Sequence, residues 1–328
     1  MQRRPTLWVW LPVLLLLTVL AFTLSLSVGS VSLSLHELWA VLTGGGDALS
    51  RTVVLELRLP RSINAFAVGG LLALAGTLMQ VLLRNPLADP YILGVSGGAA
   101  VGALGAFLAG LAAIWVDSGA FAGALLSTLL VFALAHGRGG WTPTRLLLTG
   151  IAVAAGWGAL ISLLLVLGSD ASLHSMIFWL MGDFSYQSGG SLALIMLVIG
   201  LAVCWPFARQ LNVLARGETL AEALGIAVRP LSVAIYIVAS LFTAIAVTEA
   251  GAIGFVGLVV PHMFRMLAGG DHRRLLPGAA LLGGCLLMLA DTLARTVAEP
   301  RQLPVGVVTA ALGVPLFLYL LNRARGPL

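Results

Sequence analysis

Apolar residues fill this chain in blocks of roughly 20, each bounded by a short polar or glycine-rich break. The blocks predict ten membrane-spanning helices, near 7–29, 60–83, 91–110, 119–136, 146–167, 191–208, 230–250, 257–268, 276–298 and 305–322. An even number returns both termini to one side. The first block follows Arg3 and Arg4 as a signal peptide would. Its apolar run from 7 to about 26 exceeds the ~7–15 residues of a signal core, and more spans follow, so it reads as a retained span.

The breaks carry their own structure. In the outer segment 31–59, "SLHELWAVL" (34–42) is amphipathic and "TGGGD" (43–47) signals a turn. The segment 168–190 holds an apolar core, capped by Ser172 and ended by Gly182, that is too short to span. It predicts a helix lying in or dipping into the outer face. The eighth block is short and follows "EAGAIGFVG" (249–257). Irregular backbone at membrane depth persists only where protein or a wet cavity surrounds it, so such a break marks a pathway. Glycines recur at helical spacing (Gly94, Gly98 and Gly102; Gly69 and Gly76; Gly306 and Gly313), which lets helices approach closely.

Composition supports this layout. Of 328 residues, 59% are hydrophobic and 9% charged, with mean hydropathy +1.04; soluble domains carry about 25% charged residues. The expected class is therefore an all-α polytopic membrane protein with a single transmembrane domain over 1–328. All 18 basic residues are arginine, scattered in small clusters at block ends. That pattern fits the positive-inside rule and not a nucleic-acid surface. Thirteen arginines fall on the side of the termini and five (Arg51, Arg58, Arg61, Arg295, Arg301) on the other, which puts both termini in the cytoplasm. Cys204 and Cys285 sit inside apolar blocks and form neither a disulfide framework nor a metal-site spacing.

Few residues invite chemistry. "GVSGG" (94–98) resembles a nucleophile elbow, but that motif needs a strand, turn and helix in a soluble sheet. An intramembrane serine protease using Ser96 would need a base, and His174 and His262 are placed at opposite membrane edges. Packing or pathway lining is the plainer role for Ser96. Asp291, deep in the ninth block, reads as a polar tie between helices. Glu249, at the outer end of the seventh, either faces the bundle or is simply exposed at the boundary. On the inner side, "GETLAEALG" (217–225) predicts a short helix with Glu218 and Glu222 in its early turns and Leu220 and Leu224 on one face: an ordinary surface helix, or one that docks in a partner's groove.

Taken together in order, "LRLPRS" (57–62), "GGLLALAGTLMQ" through "RNPLADPYILGVSGGA" (69–99), "GETLAEALGI" (217–226), "GAIGFVGLVVPHMFR" (251–265) and "LPVGVVTAALGVPLFLYLL" (303–321) resemble the FecCD-type permeases of ABC importers for ferric siderophores, haem and vitamin B12. The second half, with "DHRRLLPGAALLGG" (271–284), is most similar to the vitamin B12 members. The resemblance implies a type II importer bundle of ten spans in a bacterial inner membrane. It also implies a second permease copy, expected to be identical, two cytoplasmic ATPases that hold ATP and magnesium, and a periplasmic binding protein. This chain would itself bind no cofactor or metal and catalyse no bond chemistry; with no lysine, it cannot form a phosphate-binding Gly-x-x-x-x-Gly-Lys loop.

Residue roles follow from the resemblance. The segment from Gly217 and Glu218 through Leu220, Glu222 and Leu224 to Gly225 corresponds to the helix that couples to the ATPase. Arg58, Arg61 and Arg295 correspond to arginines offered to the binding protein, where forked guanidiniums fix orientation and speed encounter. "WTPTR" (141–145) is similar to a loop narrowing the inner mouth; Pro143 stands where a second hydroxyl is expected, leaving Thr142 and Thr144 as gate residues. Ser96, Glu249, Met176 and Met181 are pathway candidates, and His174 and Tyr186 in the outer segment equally suit haem contact or an interfacial belt. The rival activity is an ion-coupled secondary transporter, for which Asp291 would be the only midplane carboxylate.

Overall fold

A computed structural model describes residues 7–136, 142–184 and 191–323. Along them run α1 (Leu7–Ser27), α2 (Leu35–Leu42), α3 (Ala48–Arg51), α4 (Leu59–Leu82), α5 (Val95–Leu108), α6 (Ala113–Ala135), α7 (Pro143–Leu167) and α8 (Asp170–Met181). After these come α9 (Ser191–Cys204), α10 (Ala208–Leu214), α11 (Glu218–Ala223), α12 (Val228–Ala250), α13 (Val256–Ala268), α14 (His272–Thr296) and α15 (Val305–Arg323). No strand occurs among the described residues.

All ten predicted blocks become helices. Seven helical stretches are long and apolar enough to cross a membrane, while α5, α13 and the 305–320 part of α15 are shorter. Two predicted boundaries move. The second span begins well before residue 60: a π-helical turn, Thr52–Arg58, fuses α3 and α4 into one rod from Ala48 to Leu82. Asp47 starts that rod by accepting from the Ser50 N–H, and Val54 anchors it in a small cluster with Leu26, Leu33, Leu38 and Val41. The outer helix α8 is preceded by Ser169, not Ser172; it starts early enough to place Asp170 in the first turn, where the helix dipole favours a carboxylate. It ends, as expected, at Gly182, whose φ is +79°. The amphipathic stretch 34–42 forms α2, closed by a reciprocal cap between Ser34 and Glu37.

The rod ending in α4 is the axis of the bundle: 94% of its most apolar window is buried, against 6% for α7. Helices α9, α12, α13 and α14 pack around α4, and α5 pairs with α6. The glycine spacing explains how. A Cβ on Gly76 would run into the carbonyl of Gly257 on α13, and one on Gly69 into that of Gly283 on α14. On α5, Gly98 and Gly102 lie equally close to the carbonyls of Gly123 and Gly119 on α6. Backbone meets backbone at these crossings, so dispersion contacts accumulate without long side chains. Gly94 serves differently, turning the chain with φ +71° between a 3-10 turn at Pro90–Leu93 and α5.

Candidate coupling and docking sites

At the end of the bundle that holds Arg84, α10 ends at Leu214 and the chain reverses through Gly217, at φ +131° and ψ 148°, into the six-residue α11. Gly225, at φ +77°, closes it, with Gly225 N–H donating to Glu222 O and Ile226 N–H to Ala221 O. Both glycines stand in open space. Only Ala221 is buried; Leu220 and Leu224 are 43% and 63% exposed, so an apolar pair projects from the chain on a helix closed at both ends by glycine. Glu222 is exposed, and Glu218 pairs with Arg84 at 3.3 Å, joining α11 to the turn after α4.

A second link runs through Asn212 on α10. Its Nδ2 donates to Asp271 Oδ1 at 2.8 Å, and its Oδ1 accepts from the His272 backbone N–H at 2.8 Å. These two hydrogen bonds join α10 to the start of α14. Separately, Gln80 on α4 accepts from Arg265 on α13 at 2.9 Å. Sequence reasoning passed over Asn212, Gln80 and the Arg84–Glu218 pair, since each partner lies far away in the chain.

At the opposite end of α4, Arg58, Arg61 and Arg295 converge. Arg61 grips Asp291 with Nε (3.1 and 3.0 Å) and with a terminal amine (2.7 Å), and Arg295 lies 3.2 Å from the other carboxylate oxygen. Asp291 is fully buried, and the tie between helices expected of it joins α4 to α14. Arg61 also donates to Gln302 at 3.2 Å and lies 3.9 Å from Asp183. Arg58 departs from its expected role. It is 6% exposed, and its guanidinium caps the end of α1, donating to Leu26 O (2.8 Å), Ser27 O (3.2 Å) and Val31 O (2.6 Å). The four carbonyls that end a helix lack intrahelical partners, and the buried Arg58 satisfies two of them, those of Leu26 and Ser27. All three arginines line an outer cavity of about 350 Å³, while Arg51 and Arg301 stand exposed beside this face.

The remaining expectations divide. Thr142 caps α7 by accepting from the Arg145 N–H at 3.3 Å; Pro143 is the first helical residue, where its fixed φ suits a helix start, and Thr144 is exposed. Trp141, Tyr186, Arg3, Arg4, Arg138 and Arg325 lie outside the described residues. Glu249 faces the bundle and is not simply exposed: it is 9% exposed and accepts from Asn64 Nδ2 on α4 at 3.2 Å. Met176 is fully buried, with its sulfur packed beside Gly168, so it lines no pathway within this chain; Met181 is 40% exposed. His174 is exposed and stacks on Phe178 at 4.4 Å. Ser96, half-buried in the first turn of α5, makes no hydrogen bond to a histidine among the described residues. Asp291, held between two arginines, is not a free carboxylate for an ion-coupled site. No group of three or more metal-ligating side chains occurs among the described residues.

Comparison with known proteins agrees with this geometry. Residues 16–323 match the FecCD transport family. The chain is 46% identical over 288 residues to the cobalamin import system permease protein of Halobacterium salinarum, covering 86% of this chain and 77% of that one. It is 43% identical over 324 residues to the hemin transport system permease protein of Yersinia pestis, covering 95% and 94%. Among solved structures, a metal-chelate type ABC transporter in an inward-facing conformation superposes with a TM-score of 0.85 at 32% identity, covering 94% and 97% of the two chains.

Proposed function

Because the chain belongs to the FecCD transport family, we propose that it is the permease subunit of an ATP-driven importer that carries a metal chelate or corrinoid (ferric siderophore, haem or vitamin B12) inward across a bacterial inner membrane. Its 328 residues act as one transmembrane domain, with both termini in the cytoplasm. Hydrolysis belongs to two separate ATPase subunits that hold ATP and magnesium. A second copy of the permease, facing the exposed α7, completes the pathway, and a periplasmic binding protein delivers cargo to the outer face.

The observation that carries this reading is α11, a helix closed at both ends by glycine that leaves Leu220 and Leu224 exposed among the described residues. An exposed apolar pair on a short helix suits insertion into a groove on a partner. Closure of the ATPases would push α11, and the Asn212 link would pass the push from α10 to α14. From α14 it reaches α4 across the Gly69–Gly283 crossing. Cargo moves if the outward-open and inward-open arrangements differ in their affinity for ATP and for the loaded binding protein. Thr142 and Thr144, at the inner end of α7, narrow the exit.

Docking outside falls to the exposed Arg51 and Arg301 as well as to the Arg61 and Arg295 edge of the cavity, with Arg58 shaping that edge from within. Co-purification with its cognate ATPase tests the reading: Leu220→Asp with Leu224→Asp should abolish capture while leaving the permease folded. Capture at the wild-type level would reject α11 as the contact. Mass spectrometry of the ligand carried by the companion binding protein identifies the cargo.

A further inference from the structure

A cavity of about 730 Å³ opens at the inner face between the end of α4, α10 and the start of α14. Arg84, Arg209, Arg216, Arg265 and Arg273 line it, against a single lining carboxylate, Asp271. Arg84 is answered by Glu218, and Arg273 by Asp271 at 3.7 Å. Arg209, Arg216 and Arg265 have no carboxylate partner among the described residues. His272, 3% exposed, also lines the cavity; its Nδ1 meets Asn212 at 2.7 Å, and its buried Nε2 has no hydrogen-bond partner. Three guanidiniums without a carboxylate partner, around a cavity lined by one carboxylate, suit an anion with several acceptor oxygens.

The rim indicates where that anion comes from. The connector between α9 and α10 leaves Trp205 54% and Phe207 46% exposed, and Trp205 Nε1 donates to the carbonyl of Arg273, one of the cavity's own residues. A tryptophan that is apolar outward and bonded inward is the side chain of a membrane–water boundary. The cavity therefore stands at headgroup depth, beside the lipid-facing α9. The cytoplasmic leaflet is rich in anionic lipid, and basic pockets between spans on that side hold its headgroups.

We infer that this cavity binds the phosphate headgroup of an anionic phospholipid of the inner leaflet. Placement on the inner leaflet rests on the orientation proposed above; the headgroup chemistry does not. Asn212 lines the same cavity, so the bound headgroup would stand beside the link that joins α10 to α14 and brace the coupling path.

The test uses the full-length permease alone in detergent and needs no ATPase, cargo or known orientation, so it can fail or succeed independently of the transport reading. Native mass spectrometry after exchange with phosphatidylglycerol or phosphatidylcholine should show selective retention of phosphatidylglycerol. Arg209→Gln with Arg216→Gln, both exposed positions whose replacement spares the fold, should lower that selectivity about thirtyfold, from about 1 kcal/mol per arginine. Inorganic phosphate alone should bind far more weakly than the lipid. Equal retention of both lipids, unchanged selectivity in the double variant, or tight inorganic phosphate binding without lipid preference overturns the inference. Expulsion of the lipid on adding the ATPase would assign the cavity to an acidic protein segment and overturn it as well.

Discussion

Arg61 holds Asp291 through three hydrogen bonds of 2.7 to 3.1 Å, and that carboxylate is also flanked by Arg295. Two residues expected to greet a partner are thus committed first to holding α4 against α14. Removing one side of a buried pair leaves an uncompensated charge and costs about 3–5 kcal/mol. Asp291→Asn should therefore lower thermal stability of the purified protein sharply, and Arg61→Glu should do so before docking is ever measured. A scan of unfolding temperature for both variants checks this; wild-type melting would show that the pair is dispensable.

Docking is better read at Arg51 and Arg301, which are exposed. Surface charges steer encounter more than they hold a complex together, so reversing both should slow association with the binding protein and weaken its salt dependence while melting stays unchanged. Stopped-flow association at two ionic strengths makes the measurement, and an unaltered rate would remove these arginines from the docking face.

Gly217 adopts a backbone conformation that L side chains rarely enter, yet a Cβ there would touch nothing. Gly217→Leu should consequently distort the entry to α11 at a cost of about 1–3 kcal/mol without disturbing the bundle. The expected result is ATP hydrolysis that continues while uptake falls, read as cargo transported per ATP consumed. An unchanged ratio would mean that α11 tolerates the distortion.

The glycine crossings offer an internal control. Gly76→Ala drives a methyl into the carbonyl of Gly257, whereas Gly105→Ala meets nothing within 4 Å. Overpacking of this kind costs about 1–3 kcal/mol, so Gly76→Ala should melt earlier and Gly105→Ala should match the wild type or exceed it. Similar melting of the two would contradict the packing.

Asp89, in the inner turn after α4, caps the 3-10 turn by accepting from the Tyr91 N–H at 2.8 Å. Burial raises its carboxyl to about 6, and that hydrogen bond only partly offsets the rise. A carboxyl raised in the folded state stabilises most when protonated. Its contribution is complete below the unfolded value near 3.8 and is lost as pH climbs to about 6. Asp89→Asn keeps the acceptor and removes the titration, so the variant should out-melt the wild type at pH 8 and lose that advantage by pH 4. A pH-independent difference would contradict the assignment.

Much of this was visible in the sequence, for physical reasons. A span must be apolar over a length set by the bilayer, so ten blocks announced ten helices; paired glycines announced backbone crossings, and Gly217 and Gly225 bracketed α11. What stayed hidden depended on partners distant in the chain. Arg58 looked like an outer charge because the carbonyls it meets belong to the end of α1 and the turn after it, some 30 residues earlier. Met176 looked like pathway lining because nothing local says which side of α8 is buried. The second span began early because a π turn carried the helix through a stretch rich in valine and charge. Asn212, in a short helix beside Arg209 and Gln210, gave no local hint that it meets Asp271 and His272.

The central claim is that a separate ATPase drives cargo through this bundle by pressing on α11. Uptake into proteoliposomes containing the permease, assayed with and without the ATPase subunits and ATP, in the presence of the loaded binding protein, tests it most directly. Accumulation that requires both ATPase and ATP is the predicted result; accumulation by the permease alone would contradict it.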